Sequence, residues 1–200
     1  TDGLAYLSEN EVTFDTIYLD PARRNTSGKV FKLADCTPNV VEHFQLLLNK
    51  AARIIIKTSP LLDLQAGLTE LKHVSEIHIV SVKNECKELL WVIDRNFNEE
   101  TKIICATLNS SIKQIRLPLH DDSDVVLTEK VPSSGYLYEP DAALMKSGAF
   151  NAIANAFTLT ATPNGPFADS YSNTESIFSI LHAATLNPGV NAALASQYKT

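Results

Sequence analysis

The chain has 200 residues, a mass of 21.9 kDa and a formal net charge of −6 from 17 basic and 23 acidic side chains. A hydrophobic share of 44% excludes a disordered chain, and 7 glycines with 9 prolines exclude collagen-like or linker-like composition. No apolar run reaches the ~18–20 residues that span a bilayer, and the acidic balance excludes a surface that is basic all over, while leaving room for a local basic patch.

The length predicts one or two globular domains. The chain opens Thr1-Asp2-Gly3, without Met, a basic n-region or an apolar h-region, which predicts no secretory signal and a segment cut from a longer protein. Cys36, Cys86 and Cys105 are odd in number and far apart, with no CxxC pair. They read as small buried thiols in a reducing cytoplasm rather than as disulfides or zinc ligands.

In chain order, residues 3–8 fit a short helix with Leu4 and Leu7 on one face. Residues 14–20 are rich in β-formers and stop at Pro21, so they predict a buried strand with Asp20 at its carboxyl end. Residues 25–35 read as a loop. Thr37 is a plausible N-cap for a helix opened by Pro38, with Val41, Phe44, Leu47 and Leu48 as its stripe. Residues 52–57 are apolar on both faces, as a parallel strand between two helix layers should be. Ser59-Pro60 ends that strand, and a helix follows over 61–71 with Gly67 as its weak point.

Strands over 76–82 and 88–94 around a turn at 83–85 predict an antiparallel hairpin. Residues 101–108 and 112–119 read as further strands outside the first sheet. Asp121-Asp122-Ser123-Asp124 marks a boundary, after which Tyr136-Leu137-Tyr138-Glu139-Pro140-Asp141 leads into a helix over 142–157. Alternating strands and helices indicate an α/β sheet with covered faces. From Thr158 the composition changes. Only Asp169, Glu175 and Lys199 are charged, and the helical pieces over 176–184 and 190–196 have weak stripes. A domain surface normally carries more charge, so the tail is not expected to be a native continuation of the fold.

Asp20-Pro21-Ala22-Arg23-Arg24 is the sharpest chemical feature. In open α/β sheets ligands bind outside the carboxyl ends of the strands. An Asp there accepts hydrogen bonds from a substrate amine, and the stiff Pro leaves its carbonyl free to accept another. Two acceptors on one amine aim its lone pair. The neighbouring guanidiniums suit phosphate or carboxylate. The plain alternative is a strand-ending turn with solvated arginines. Lys57 ends the second strand on the same sheet edge and can approach Asp20. Arg23, Arg24, Lys29 and Lys32 form the one dense basic cluster, suited to RNA phosphate or simply solvated. The five histidines show no metal spacing, no P-loop is present, and Cys86 has no histidine partner indicated.

Asp2-Gly3-Leu4-Ala5-Tyr6-Leu7 followed by Asp20-Pro21 resembles the middle of class I S-adenosylmethionine-dependent methyltransferases, in the branch that methylates amines of nucleic acids. Ala22 stands where that branch has a second Pro, and Arg23 where it has a base-stacking aromatic. Taken with Lys57-Thr58-Ser59-Pro60, Glu85-Cys86-Lys87-Glu88-Leu89 and the 136–141 motif, the chain is similar to Bacteroidetes-type methyltransferase-like proteins with a THUMP-like C-terminal domain. The resemblance covers about residues 1–157.

It implies the C-terminal half of a Rossmann-like methyltransferase sheet ending in an antiparallel hairpin over 1–120, the start of a THUMP-like α+β domain over 121–157, and an atypical low-charge tail over 158–200. The implied activity is methyl transfer from S-adenosylmethionine to an exocyclic base amine of RNA, tRNA or rRNA. The alternative is a catalytically inactive RNA-binding protein on the same fold. By the resemblance, Asp20 and Pro21 hold the amine and Asp2 contacts the cofactor adenine. From side-chain chemistry, Arg23 is expected to grip phosphate or the cofactor carboxylate, and the basic cluster of Arg24, Lys29 and Lys32 to bind RNA. No metal and no membrane are implied. The family's glycine-rich cofactor loop has no counterpart in this sequence, so the segment alone is expected to bind cofactor poorly.

Overall fold

The computed structural model describes residues 2–22, 24–25, 28–29, 32–109, 112–120, 136–160 and 181–185, with the backbone alone at 24–25, 28–29, 136–139, 156–160 and 181–185. Helix α1 (Gly3–Glu9) precedes strand β1 (Phe14–Leu19). Two-residue strands β2 (Arg24–Asn25) and β3 (Gly28–Lys29) pair antiparallel, and a 3-10 turn follows at Leu33–Asp35. Then come α2 (Phe44–Lys50), β4 (Ala51–Thr58), α3 (Leu64–Glu70), β5 (Val74–Val82), β6 (Glu85–Asp94), β7 (Lys102–Leu108) and β8 (Ile112–Pro118). Strand β9 (Tyr136–Pro140), α4 (Ala142–Ser147), α5 (Phe150–Thr160) and β10 (Leu181–Thr185) complete the described elements.

Six strands form one sheet in the order β1-β4-β6-β5-β7-β8. β1 runs parallel to β4, and β7 parallel to β5, while β6 lies antiparallel between β4 and β5. The hairpin of β5 and β6 turns at Lys83 and Asn84, both at positive φ (52° and 58°), the handedness a two-residue hairpin loop needs. The sheet does not end there, as the sequence suggests. β7 and β8 extend it by two strands, because β7 finds a parallel partner in β5 that only the tertiary fold supplies.

Burial alternates with the pleat. Ile54 and Ile56 of β4, Ile77 and Ile79 of β5, Leu89, Trp91 and Ile93 of β6, and Ile103 and Cys105 of β7 have no exposed surface. Their neighbours Ile55, Lys57, His78, Val80, Glu88 and Leu90 are only half-buried. Helices α3 and α4 pack on the buried face, where Gly67 meets Trp91 and Cys105 donates to the Ala143 carbonyl at 3.3 Å. On the opposite face Val92 of β6 and Ile104 and Ala106 of β7 are buried as well, so it is covered along β7 and half-open over the outer part of β4.

Four local expectations are corrected. Thr37 does not cap a helix. It forms an extended bridge with Ala22, and α2 starts only at Phe44. The helix expected over 142–157 breaks at Gly148, whose left-handed φ of +73° closes α4 before α5 begins. The helix expected over 61–71 is confined to Leu64–Glu70, with Asp63 accepting from the Ala66 amide at 2.9 Å as its cap. Residues 181–185, read as part of a helix, pair as β10 with β9. The rest of 161–200 and the boundary at 121–124 lie outside the described residues.

α4 is fixed to the sheet by polar contacts. Asp141 is 1% exposed, and its Oδ1 accepts from Ser81 Oγ at 2.6 Å and from the Ala143 amide at 2.9 Å. Asn84 Oδ1 accepts from the Ala142 amide at 2.7 Å, so the hairpin turn holds the helix start. Buried bonds of this kind contribute roughly 0.5–1.5 kcal/mol each.

Gly67 provides a test of the packing. A Cβ there would lie 2.2 Å from Trp91 Cη2, and the indole is held by Nε1 donating to Thr58 Oγ1 at 2.9 Å. Alanine adds about 1 kcal/mol of helix propensity, whereas overpacking costs about 1–3 kcal/mol and more where the neighbour is pinned. Gly67→Ala is therefore expected to lower stability in urea unfolding, and Trp91→Phe to restore part of the loss. A Gly67→Ala midpoint at or above wild type would contradict this packing.

Candidate functional site

The parallel ladder of β1 and β4 sets Leu19 opposite Ile56, so the residues that follow, Asp20 and Lys57, emerge side by side. Lys57 Nζ lies 2.6 Å from Asp20 Oδ2, with side-chain exposures of 26% and 51%. The hydrogen bond to Asp20 is the main cause that raises the Lys57 ammonium above its ordinary value. Partial burial opposes the rise, and the nearby Glu88 and Tyr18 add to it. Lys57 is thus charged throughout the neutral range.

Pro21 is buried, and the next residue is pinned. The Ala22 amide donates to the Thr37 carbonyl at 2.7 Å and the Thr37 amide to the Ala22 carbonyl at 3.1 Å. This non-local bridge holds the Asp20-Pro21-Ala22 corner against the chain that leads into α2. Among the described residues, Asp20 Oδ1 and the Pro21 carbonyl have no hydrogen-bond partner. Two acceptors therefore sit one residue apart at the carboxyl end of β1, where the sequence places them.

Past the corner, β2 and β3 bring Arg24 opposite Lys29 in register. Lys32 is exposed. Arg23 lies outside the described residues. The structure thus brings Arg24 and Lys29 to one place in the backbone, just beyond Asp20.

Asp2 lies at a different point. Its Oδ1 accepts from the amides of Leu4 at 2.9 Å and Ala5 at 3.0 Å, capping α1. Those two bonds, the Ala5 one first, hold its carboxyl below the usual range. Asp2 borders a largely apolar groove of about 500 Å³ between α1, β1 and α2, with Tyr6, Phe14, Tyr18, Pro38 and Leu47 among its walls. Tyr18 is 58% exposed and belongs to both regions. By strand alternation it points to the same side of β1 as Asp20. Sequence reasoning passed over Tyr18, although its spacing of two from Asp20 is a readable signal.

Cys86 and Cys105 are not poised for nucleophilic attack. Burial pushes Cys86 up and Cys105 up to about 12. Among the described residues no group of His, Cys, Asp and Glu is arranged to hold a metal ion. No described helix is long and apolar enough to cross a membrane.

Residues 136–161 match a ferredoxin-like domain family, a stretch that holds β9, α4 and α5. The crystal structure of a proposed methyltransferase from Porphyromonas gingivalis W83 is similar to this chain at 33% sequence identity and a TM-score of 0.62. The match covers 73% of this chain and 36% of that one, so the chain spans about a third of the protein it resembles. No curated protein matches. The mixed α/β architecture of this chain, with its six-stranded sheet, is compatible with a methyltransferase-like fold.

Asp2 supplies an acid test of the groove's rim. A carboxyl whose folded pKa is depressed stabilises α1 above its unfolded value of 3.8, and the effect is lost as pH falls through the folded pKa. Amide exchange at Leu4 and Ala5 should accelerate below about pH 4 beyond the intrinsic trend, and Asp2→Asn should abolish that step while keeping the cap. An exchange profile without such a step would show that the cap is not formed.

Proposed function

We propose that this chain is part of an S-adenosylmethionine-dependent methyltransferase that modifies an exocyclic base amine of RNA. The observation that carries the reading is the pair of unpartnered acceptors, Asp20 Oδ1 and the Pro21 carbonyl, on a pinned corner at the carboxyl end of β1. The likeness to the Porphyromonas gingivalis protein supports the reaction class, and the 136–161 match supports a further domain, which we read as THUMP-like.

The groove beside Asp2 suits an adenosyl group. It is apolar, it is walled by exposed aromatics, and Asp2 has a second oxygen, Oδ2, that takes no part in capping. When bound, S-adenosylmethionine supplies a methyl group on a positively charged sulfur, to which a nitrogen lone pair bonds as the carbon–sulfur bond breaks. The chain's own part is alignment. Asp20 Oδ1 and the Pro21 carbonyl each accept one N–H of the target amine, which turns the lone pair away from them and toward the electrophile. The surplus amine proton leaves to solvent. Arg23 grips a phosphate or the cofactor carboxylate, and Arg24, Lys29 and Lys32 follow the RNA backbone past the corner.

The test uses the full-length protein. Asp20→Ala should cut turnover on RNA by about 10²-fold or more with little change in melting temperature. Asp20→Asn should be milder, because its carboxamide oxygen still accepts. Wild-type turnover by Asp20→Ala would remove Asp20 from the reaction. Independently, Arg24→Ala and Lys29→Ala should each weaken RNA binding and lower its log–log salt slope by about 0.7–0.9. An unchanged slope would mean that these side chains stay in water.

A further inference from the structure

We propose that Lys57 is a positioning residue for Asp20, holding one carboxylate oxygen so that the other faces the target amine. The inference rests on the reading of Asp20 as the amine acceptor. Three features of the pair carry it.

The first is delivery by register. Asp20 lies just beyond the last residue of β1, outside the β1–β4 register, whereas Lys57 lies inside β4 and pairs with Leu90 of β6. The backbone of Lys57 is therefore the firmer of the two. Its side chain is also the less exposed, 26% against 51%. A half-exposed carboxylate left alone is free to sample rotamers that point into solvent. Anchored to an ammonium that the sheet holds, it loses that freedom before the substrate arrives.

The second is the division of oxygens. Lys57 takes Oδ2 at 2.6 Å, and among the described residues nothing takes Oδ1. An amine that donates to Oδ1 and to the Pro21 carbonyl leaves the ion pair in place. One that donated to Oδ2 would have to displace a charge-assisted bond. The pair thus selects which oxygen is offered.

The third is the charge around Lys57. Glu88 and Tyr18 face it together with Asp20, and its positive charge is already matched by a carboxylate in contact. A cation so compensated draws an RNA phosphate weakly.

The full-length protein with S-adenosylmethionine and RNA is the material for the test. Lys57→Met keeps the apolar stem and removes the charge. It should lower kcat by about ten- to a hundredfold while the KM for RNA stays within about twofold, as expected when a contact orients rather than binds. Lys57→Arg should recover part of the rate. In an Asp20→Ala background, Lys57→Met should lower the residual single-turnover rate no further, because there is nothing left to orient. A separate readout follows the ion pair without turnover: in Asp20→Ala the Lys57 ammonium, observed by NMR at Nζ, should titrate at lower pH than in wild type.

Unchanged or faster turnover by Lys57→Met, or a rise in KM alone, would overturn the positioning role. So would an Nζ titration that ignores Asp20→Ala, whatever the turnover. If the titration shifts but Asp20→Ala keeps its full rate, the ion pair is real and the reading of Asp20 as acceptor is what fails, taking the positioning role with it.

Discussion

Two strands that pair in parallel must end beside one another, and whatever follows each is brought to the same edge. In this chain the pairing of β1 with β4 decides where its chemistry sits. β4 is held from both sides, by β1 and by β6, and Ile54 and Ile56 lock one of its faces into the core. Among the described residues β1 pairs on one side only, so its carboxyl end takes its position from β4 and from the bridge between Ala22 and Thr37. Asp20, Pro21 and Lys57 meet because those few backbone bonds leave the corner no other place to go.

Two aspartates show how surroundings separate structural from chemical use of one side chain. Asp141 is buried and accepts from Ser81 Oγ and the Ala143 amide, so its Oδ1 is consumed in tying α4 to the sheet. Asp20 is half-exposed and spends one oxygen on Lys57, keeping the other open. The first arrangement rewards rigidity, and the second leaves an acceptor oriented but unused, which is what a site that acts by alignment requires.

Local patterns carried the sequence reading where the determinants are local. The place of the strand ending at Asp20-Pro21, the strand through 52–57, the hairpin around Lys83-Asn84 and the shared edge of Asp20 and Lys57 were legible from β-branched runs and turn residues, whereas the burial expected of the first strand was not met, since β1 is largely exposed. The failures share a cause. Thr37 looks like an N-cap until Ala22, fifteen positions earlier in the chain, bonds to it. β7 looks detached until β5 pairs with it, and residues 181–185 look helical until β9 does. Each is a non-local pairing that propensity cannot foresee. Gly148 is the exception, since a glycine at that point was a readable stop. The role of Arg23 and most of 161–200 fall outside the described residues.

The chemical identity of the product tests the central claim most directly. An acceptor pair built from Asp20 Oδ1 and the Pro21 carbonyl can orient a group that donates two hydrogens, and so it favours an amine over a ribose hydroxyl or a ring carbon. RNA treated with the full-length protein and isotopically labelled S-adenosylmethionine can be digested to nucleosides and resolved by mass spectrometry. The predicted result is label in a nucleoside methylated on its exocyclic nitrogen. Label on a ribose oxygen or a ring carbon, or RNA that stays unlabelled while it binds, would contradict it.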